Sequence, residues 1–236
     1  MKTASMKVAV VTGGTSGIGA AIARRLVADG YAVIAAARSE AATPTGVDYA
    51  RLDVTHAAEV RDFFAGLDRL DLLVNNAGLA GADPDDDDDA FWDAIIATNL
   101  TASWRCARAA LKRLPDRTGR IVNIASILGL QGVPDQVAYC AAKHGVVGLT
   151  KALAMQAAPR GITVNAVCPG WVDTAMAHRR FAELGITAAQ AGAALPIGHI
   201  ATAYEIAEMV AFLARAGAKS LTGQALVIDG GSSTHA

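Results

Sequence analysis

Ser126, Tyr139 and Lys143 place a hydroxyl, a phenol and an ammonium within one stretch, S-I-L-G-L-Q-G-V-P-D-Q-V-A-Y-C-A-A-K. Tyr139 and Lys143 are four residues apart, which on a helix puts them on one face, one turn apart. An ammonium there favours the phenolate, so this spacing predicts a Tyr139 pKa drawn down from its reference of about 10 toward working pH. A phenol tuned in that way passes a proton to or from an alcohol oxygen. Ser126 lies thirteen residues before Tyr139. That is too far to share its helix, so the hydroxyl must arrive from the end of a neighbouring strand.

The elements that would position these groups read as alternating strands and helices. Residues 8–11 form a short β-branched strand, followed by a glycine-rich turn over 12–19 and a helix over 20–28 that Gly30 stops. Further strands are expected at 31–37, 47–53, 70–74, 120–124, 162–167 and 225–228. Helices are expected at 56–67, 90–114, 136–158 and 204–214, with residues 39–46 a loop and 175–200 irregular. Alternation of this kind implies a parallel sheet wound on both sides. A composition of 53% hydrophobic and 18% charged residues suits a sheet buried on both faces. With no linker among 236 residues, the chain reads as a single α/β domain.

The strand ends carry the remaining chemistry. Gly13, Gly17 and Gly19 follow G-x-x-x-G-x-G. This differs from the general dinucleotide fingerprint but shares its physics: a tight turn, then backbone close enough to hold a pyrophosphate at a helix N-terminus. Thr15 and Ser16 add hydroxyl donors, and Ile18 lies between the last two glycines. At the end of the second strand an acid would bind the ribose of NAD; Ala37 stands there instead, followed by Arg38. A guanidinium without that acid suits the 2′-phosphate of NADP. Asp53, with Val54, can accept from an adenine amino group. Asn76, Ala77 and Gly78, in N-N-A-G, let an adenosine ribose lie on the backbone.

Taken in order, T-G-G-T-S-G-I-G, N-N-A-G, Ser126, Y-C-A-A-K, P-G-W-V-D-T and I-D-G-G resemble the short-chain dehydrogenase/reductase family over nearly the whole chain. The resemblance implies a Rossmann-like, doubly wound, mostly seven-stranded parallel sheet. It places the catalytic set on Ser126, Tyr139 and Lys143, and a helix asparagine that holds a proton-relaying water on Asn99. It puts the nicotinamide-contacting segment at Pro169, Gly170, Val172 and Thr174, with Tyr139 and Lys143 also meeting the cofactor. A homo-oligomer, tetramer or dimer, is implied, packing through the two long middle helices and the last strand.

These features point to an oxidoreductase that moves a hydride between NADP(H), with NAD(H) as the other possible cofactor, and a ketone, 3-oxoacyl or secondary-alcohol substrate. The alternatives are an NAD-dependent alcohol dehydrogenase, a nucleotide-sugar epimerase-like enzyme and a non-catalytic NADP-sensing module. The substrate side is read from residues 175–200, a variable lid. There His178, Arg179 and Arg180 could attract an anionic substrate or could be a solvated helix face. Gln131, Gln136, Trp171 and Met176 are candidate pocket residues. A net charge of −1 without a Lys/Arg-rich run argues against nucleic acid as a partner. The N-terminus lacks the pattern of a signal peptide, no apolar run reaches membrane-spanning length, and the three cysteines lack metal spacing, so a cytoplasmic protein with no bound metal is expected. The acid run at 85–89 reads as a solvated loop whose last members cap the helix that follows, with a divalent-ion site as the other reading.

Overall fold

The computed structural model describes residues 6–39, 43–84 and 89–235. Its strands are β1 (Lys7–Thr12), β2 (Tyr31–Ala37), β3 (Val47–Arg51), β4 (Leu72–Asn75), β5 (Arg120–Ile124), β6 (Thr163–Pro169), β7 (Val172–Asp173), β8 (Ala201–Thr202) and β9 (Ala225–Ile228). Seven form one parallel sheet in the order β3-β2-β1-β4-β5-β6-β9, and β7 pairs with β8 in a small separate sheet. The helices are α1 (Gly17–Ala28), α2 (Ala57–Ala65), α3 (Ala90–Ile95), α4 (Ala102–Ala110), α5 (Val137–Ala157), α6 (Ala175–Glu183), α7 (Ala188–Ala193) and α8 (Ala203–Ala214).

The strands read as unbroken apolar runs because both faces are covered. Val10, Leu73, Ile121 and Val164 point into one layer, where they meet Val60 and Phe64 of α2, Cys106 of α4 and Leu153 of α5. Their neighbours Val11, Val74, Val122 and Val167 point into the other, against Ile22 and Leu26 of α1 and Ile206, Val210 and Leu213 of α8. The period of two along each strand thus serves both layers. Inside this core a polar chain crosses from sheet to helix. Asn75 Nδ2 donates to Asn123 Oδ1 at 2.9 Å, Asn123 Nδ2 to Thr150 Oγ1 at 2.8 Å, and Thr150 Oγ1 to the Val146 carbonyl at 2.8 Å.

From β1 the chain winds outward to β2 and β3, then crosses back to β4 on the other side of β1. That reversal opens a crevice at the carboxyl ends of the strands, where ligands bind in open α/β sheets.

Two expectations need correction. The pattern over 90–114 is interrupted: α3 passes into a π-helical turn over Ile96–Thr101 before α4, which stops at Ala110. The stretch 175–200 is ordered as α6 and α7, because Thr174 and Thr187 cap the two helices and Phe181 gives α6 a buried anchor. Of the acid run, 85–88 lie outside the described residues, and Asp89 precedes α3 without making a side-chain cap.

Candidate active site

Two clusters meet at the carboxyl edge of the sheet. The first is built on the end of β1. Thr12 Oγ1 accepts the amides of Asn76 at 3.0 Å and Ala77 at 3.1 Å, and Asn76 Nδ2 donates to the carbonyls of Thr12 at 3.0 Å and Gly13 at 3.1 Å. The N-N-A-G segment is thereby fastened to the glycine turn, and the Asn76 amide is spent on that fastening. A Cβ on Gly19 would stand 2.2 Å from the Gly13 carbonyl oxygen, so only glycine lets α1 start against the turn. Ser16 sits at the N-cap of α1 in extended conformation, yet its hydroxyl makes no cap bond and the first turn holds no acid. Ser16 and Gly17 are exposed, with Thr15 and Ile18 partly so. The first N–H groups of α1 are therefore open to an anion. Thr174 faces them, its methyl 3.7 Å from where a Cβ on Gly17 would lie.

Arg38 is exposed just beyond β2. Asp53 lies past the end of β3 at Arg51, a shorter strand than expected, and its Oδ1 accepts from the Thr55 amide at 2.9 Å and hydroxyl at 2.7 Å. Burial pushes the Asp53 pKa up, but these bonds and the charges of His56 and Arg38 outweigh it and hold the carboxylate below its ordinary range. The neighbouring Val54 is buried. Gly78 approaches Asn99 so closely that a Cβ would stand 3.1 Å from Asn99 Oδ1.

The second cluster forms where β5 ends. Ser126 opens a 3-10 turn over Ile127–Gly129, accepting the Leu128 amide at 3.1 Å. Tyr139 and Lys143 lie on α5, with Lys143 Nζ 5.4 Å from the phenol ring centroid and donating to the Ile124 carbonyl at 2.8 Å. The Ser126 hydroxyl is within reach of the Tyr139 hydroxyl and favours its phenolate. Gly129 fits this turn onto the helix, since a Cβ there would lie 2.6 Å from the Lys143 carbonyl oxygen.

The electrostatics run against the lowered phenol pKa expected from spacing. Burial pushes Tyr139 up to about 12, with the Ser126 hydroxyl working against it, even though part of the ring reaches the surface. Burial also pulls Lys143 down to about 8. Withdrawal from water disfavours the charged form of each group, so the same burial that raises the phenol lowers the ammonium. Under the cluster, burial raises the Cys168 thiol to about 11.

Asn99 sits within the π turn and is buried, not exposed on a helix surface. Its Oδ1 accepts the Leu79 amide at 2.7 Å and its Nδ2 donates to the Leu79 carbonyl at 2.8 Å, fixing the segment that follows N-N-A-G. Pro169 ends β6, Gly170 follows it, and Val172 begins β7, which carries the chain to Thr174 and α6. On α6 the basic run is largely neutralised: His178 Nε2 meets Asp173 at 2.7 Å, and Arg180 pairs with Glu183 at 2.8 Å and with Asp135. Only Arg179 of the three has no ion pair among the described residues, which weakens the case for attraction of an anion. Trp171 packs on Phe181 with centroids 4.8 Å apart. Gln136 Nε2 is committed to the Gly81 carbonyl at 3.1 Å, whereas Met176 is exposed and Gln131 half-buried.

Sequence reasoning passed over Thr12 and Asp83. Thr12 was signalled by a lone hydroxyl at the end of an apolar strand; Asp83, treated below, gave no local signal. Among the described residues there is no group of acids, histidines and cysteines able to hold a metal ion, and no helix is long and apolar enough to cross a membrane.

A family model described as enoyl-(acyl carrier protein) reductase matches residues 13–233. A Streptomyces virginiae protein assigned as the ketoacyl reductase of a monensin polyketide synthase is 44% identical over 257 residues, covering 98% of each chain. The 3-oxoacyl-(acyl-carrier-protein) reductase of Salmonella typhimurium is 39% identical, covering 95% of this chain and 96% of its own. A crystal structure of an actinorhodin polyketide ketoreductase variant with NADPH superposes with a TM-score of 0.89 at 40% identity, covering 98% of both chains.

Proposed function

Because the chain belongs to the short-chain dehydrogenase/reductase family, an oxidoreductase family, we propose that it is an NADP(H)-preferring reductase of ketone or 3-oxoacyl groups, reversible as a secondary-alcohol dehydrogenase. The observation that carries this reading is the meeting of Ser126, Tyr139 and Lys143 at the carboxyl edge of the same sheet at which the open N-terminus of α1 lies.

The residues fit a dinucleotide. The uncapped amides of α1, with Gly13, Thr15, Ser16, Gly17, Ile18 and Gly19, would hold the pyrophosphate. Arg38 would take the 2′-phosphate, with Asp53 and Val54 at the adenine and Ala77 and Gly78 under the ribose. Pro169, Gly170, Val172 and Thr174 would meet the nicotinamide. Lys143 is buried, and the described structure commits one of its N–H groups, to Ile124, leaving donors for the adjoining ribose hydroxyls. When bound, the nicotinamide supplies or accepts the hydride at the carbonyl carbon.

In reduction, charge grows on the substrate oxygen, and Tyr139 gives that oxygen a proton. A phenol pushed up by burial holds its proton until the oxyanion forms and then gives it up. Ser126 donates a second hydrogen bond to the same oxygen, a contribution of ~2–4 kcal/mol. Lys143 stabilises the phenolate left behind. Asn99, with both amide atoms on Leu79, serves as a positioning residue for proton relay to Lys143. Residues 175–200, in which α6 and α7 lie, form the variable substrate lid of a single catalytic domain spanning 1–236.

The reading includes a cytoplasmic homotetramer packed through α4, α5 and β9. It is supported by exposed Trp104, Met155 and Val227 on those elements, by an Arg108 guanidinium 4.3 Å above the Trp104 ring, and by three cysteines that form no disulfide. Light scattering checks the assembly.

The catalytic test is oxidation of NADPH and NADH over a panel of ketones, 3-oxoesters and acyl thioesters. Higher kcat/KM with NADPH is expected, and equal or better turnover with NADH overturns the cofactor preference. Tyr139→Phe is expected to cut turnover at least about a thousandfold with NADPH binding intact; a tenth of the activity remaining would refute Tyr139 as the proton donor.

A further inference from the structure

Tyr139 is the third residue of α5, so it rides on the turn of the helix most prone to fray. Gln136, at the N-cap, gives that turn no side-chain acceptor. The acceptor comes instead from far back in the chain. The Asp83 carboxylate takes the amide of Val137 through Oδ2 and that of Ala138 through Oδ1 at 3.3 Å. The Asp83 amide in turn donates to the Asp135 carbonyl at 3.0 Å, and Gln136 Nε2 to the Gly81 carbonyl at 3.1 Å. Four hydrogen bonds therefore clasp the loop leaving β4, the loop that begins with N-N-A-G, onto the first turn of α5.

One turn further on, the helix has a separate anchor. Gly129 rests on the Lys143 peptide and Lys143 Nζ reaches Ile124. Lys143 is thus held by the strand end, whereas Tyr139 is held through Asp83.

We propose that Asp83 is a positioning residue for carbonyl reduction, fixing the first turn of α5 so that the Tyr139 hydroxyl stands in register with Ser126 and with a cofactor seated on the N-N-A-G loop. This rests on the reading of Tyr139 as the proton donor. A helix of 21 residues packed along its length does not need one cap in order to form. Loss of Asp83 therefore acts on the first turn, and through it on kcat, more than on global stability.

The experiment compares wild type, Asp83→Ala and Asp83→Asn in kcat, in KM for ketone and for NADPH, and in thermal midpoint. Asn keeps one acceptor oxygen, enough for one of the two amides, and is itself a good capping residue, but its Nδ2 cannot accept the second. Asp83→Ala is expected to lower kcat roughly tenfold, the loss that corresponds to one strong cap, with KM for NADPH unchanged. Asp83→Asn, which keeps one of the two acceptors, is expected to recover part of that loss. Wild-type kcat in Asp83→Ala overturns the proposal. So does an Asp83→Asn as impaired as Asp83→Ala, or a rise in KM for NADPH that parallels the fall in kcat. If the alanine variant does not fold, Asp83→Asn decides alone: a loss in kcat of about twofold to fivefold with KM for NADPH unchanged supports the proposal, and wild-type kcat or a tenfold loss defeats it. A wild type that reduces no carbonyl sinks the proposed function and this proposal together, whereas an active wild type with an unaffected Asp83→Ala sinks this proposal alone.

Discussion

Two helix N-termini face the site, and they are finished in opposite ways. α1 begins at a serine whose hydroxyl declines to cap, with no acid in the turn that follows. α5 begins under a carboxylate brought from the loop after β4. Elsewhere α6, α7 and α8 are capped by Thr174, Thr187 and Thr202 from their own N-cap positions. An end left open keeps its N–H groups and partial positive charge for a ligand's anion. An end closed by the chain's own carboxylate has that charge answered internally, which suits a helix that must hold a side chain steady.

The largest test concerns what the closed helix carries. Lys143 falls from an ordinary 10.5 to about 8. Between these values the unfolded chain binds the proton and the folded chain does not, so this group makes stability rise with pH across the window. Burial of the Cys106 and Cys168 thiols, which the fold pushes up to about 12 and 11, works the other way above their ordinary 9.0. Comparison with Lys143→Met isolates the lysine. The difference in unfolding free energy between wild type and variant is expected to change by roughly 3 kcal/mol from pH 8 to 10.5 in urea titrations. A constant difference would mean that Lys143 is not desolvated as described.

The next test concerns the open helix. Gly19→Ala forces a methyl onto the Gly13 carbonyl and the Asn76 amide, which a Cβ would meet at 2.2 and 2.5 Å. Overpacking of this kind costs about 1–3 kcal/mol, or roughly tenfold to a hundredfold in affinity for NADPH by fluorescence titration. Full-strength binding would show that the turn yields without affecting the anion site.

The smallest change sharpens the comparison most. Ser16→Asp gives α1 the kind of cap that α5 has. Without nucleotide the thermal midpoint is expected to rise by about 2–4 °C, the effect of roughly 1 kcal/mol in a chain of this size. Affinity for NADPH is expected to fall about tenfold as the new carboxylate competes for the same amides. A higher midpoint with unchanged affinity would break the link between the empty cap and the cofactor.

The same contrast explains what the sequence made legible. β1, the glycine turn and the Tyr139–Lys143 spacing are local patterns, readable because neighbouring residues set them. Asp83 acts 54 and 55 residues away, on Val137 and Ala138, and no local pattern announces it. The π turn at Asn99 was hidden because helical periodicity continues on both sides of it. The ordered α6 escaped notice because only two of its residues, Ala177 and Phe181, are buried, and they pack on Trp171, Ile186 and Ile200 from outside the helix. The direction of the Tyr139 shift was missed for a related reason. Spacing shows a neighbouring charge, whereas desolvation depends on how the whole fold closes over it.

The buried chain of Asn75, Asn123 and Thr150 has a consequence for assembly of the sheet. β4 and β5 are short and apolar on both faces, so a slip of two residues would return every side chain to its own layer with little loss of apolar contact. The amides forbid it. Displaced by two positions, Asn75 and Asn123 would no longer meet; Asn75 would keep only the Ser103 carbonyl and Asn123 only Thr150, and the Asn123 carboxamide oxygen would be buried without a donor at a cost of about 1–3 kcal/mol. The three residues act as a key that admits one alignment of the strands, the one that brings the end of β5, and Ser126 beyond it, level with Tyr139.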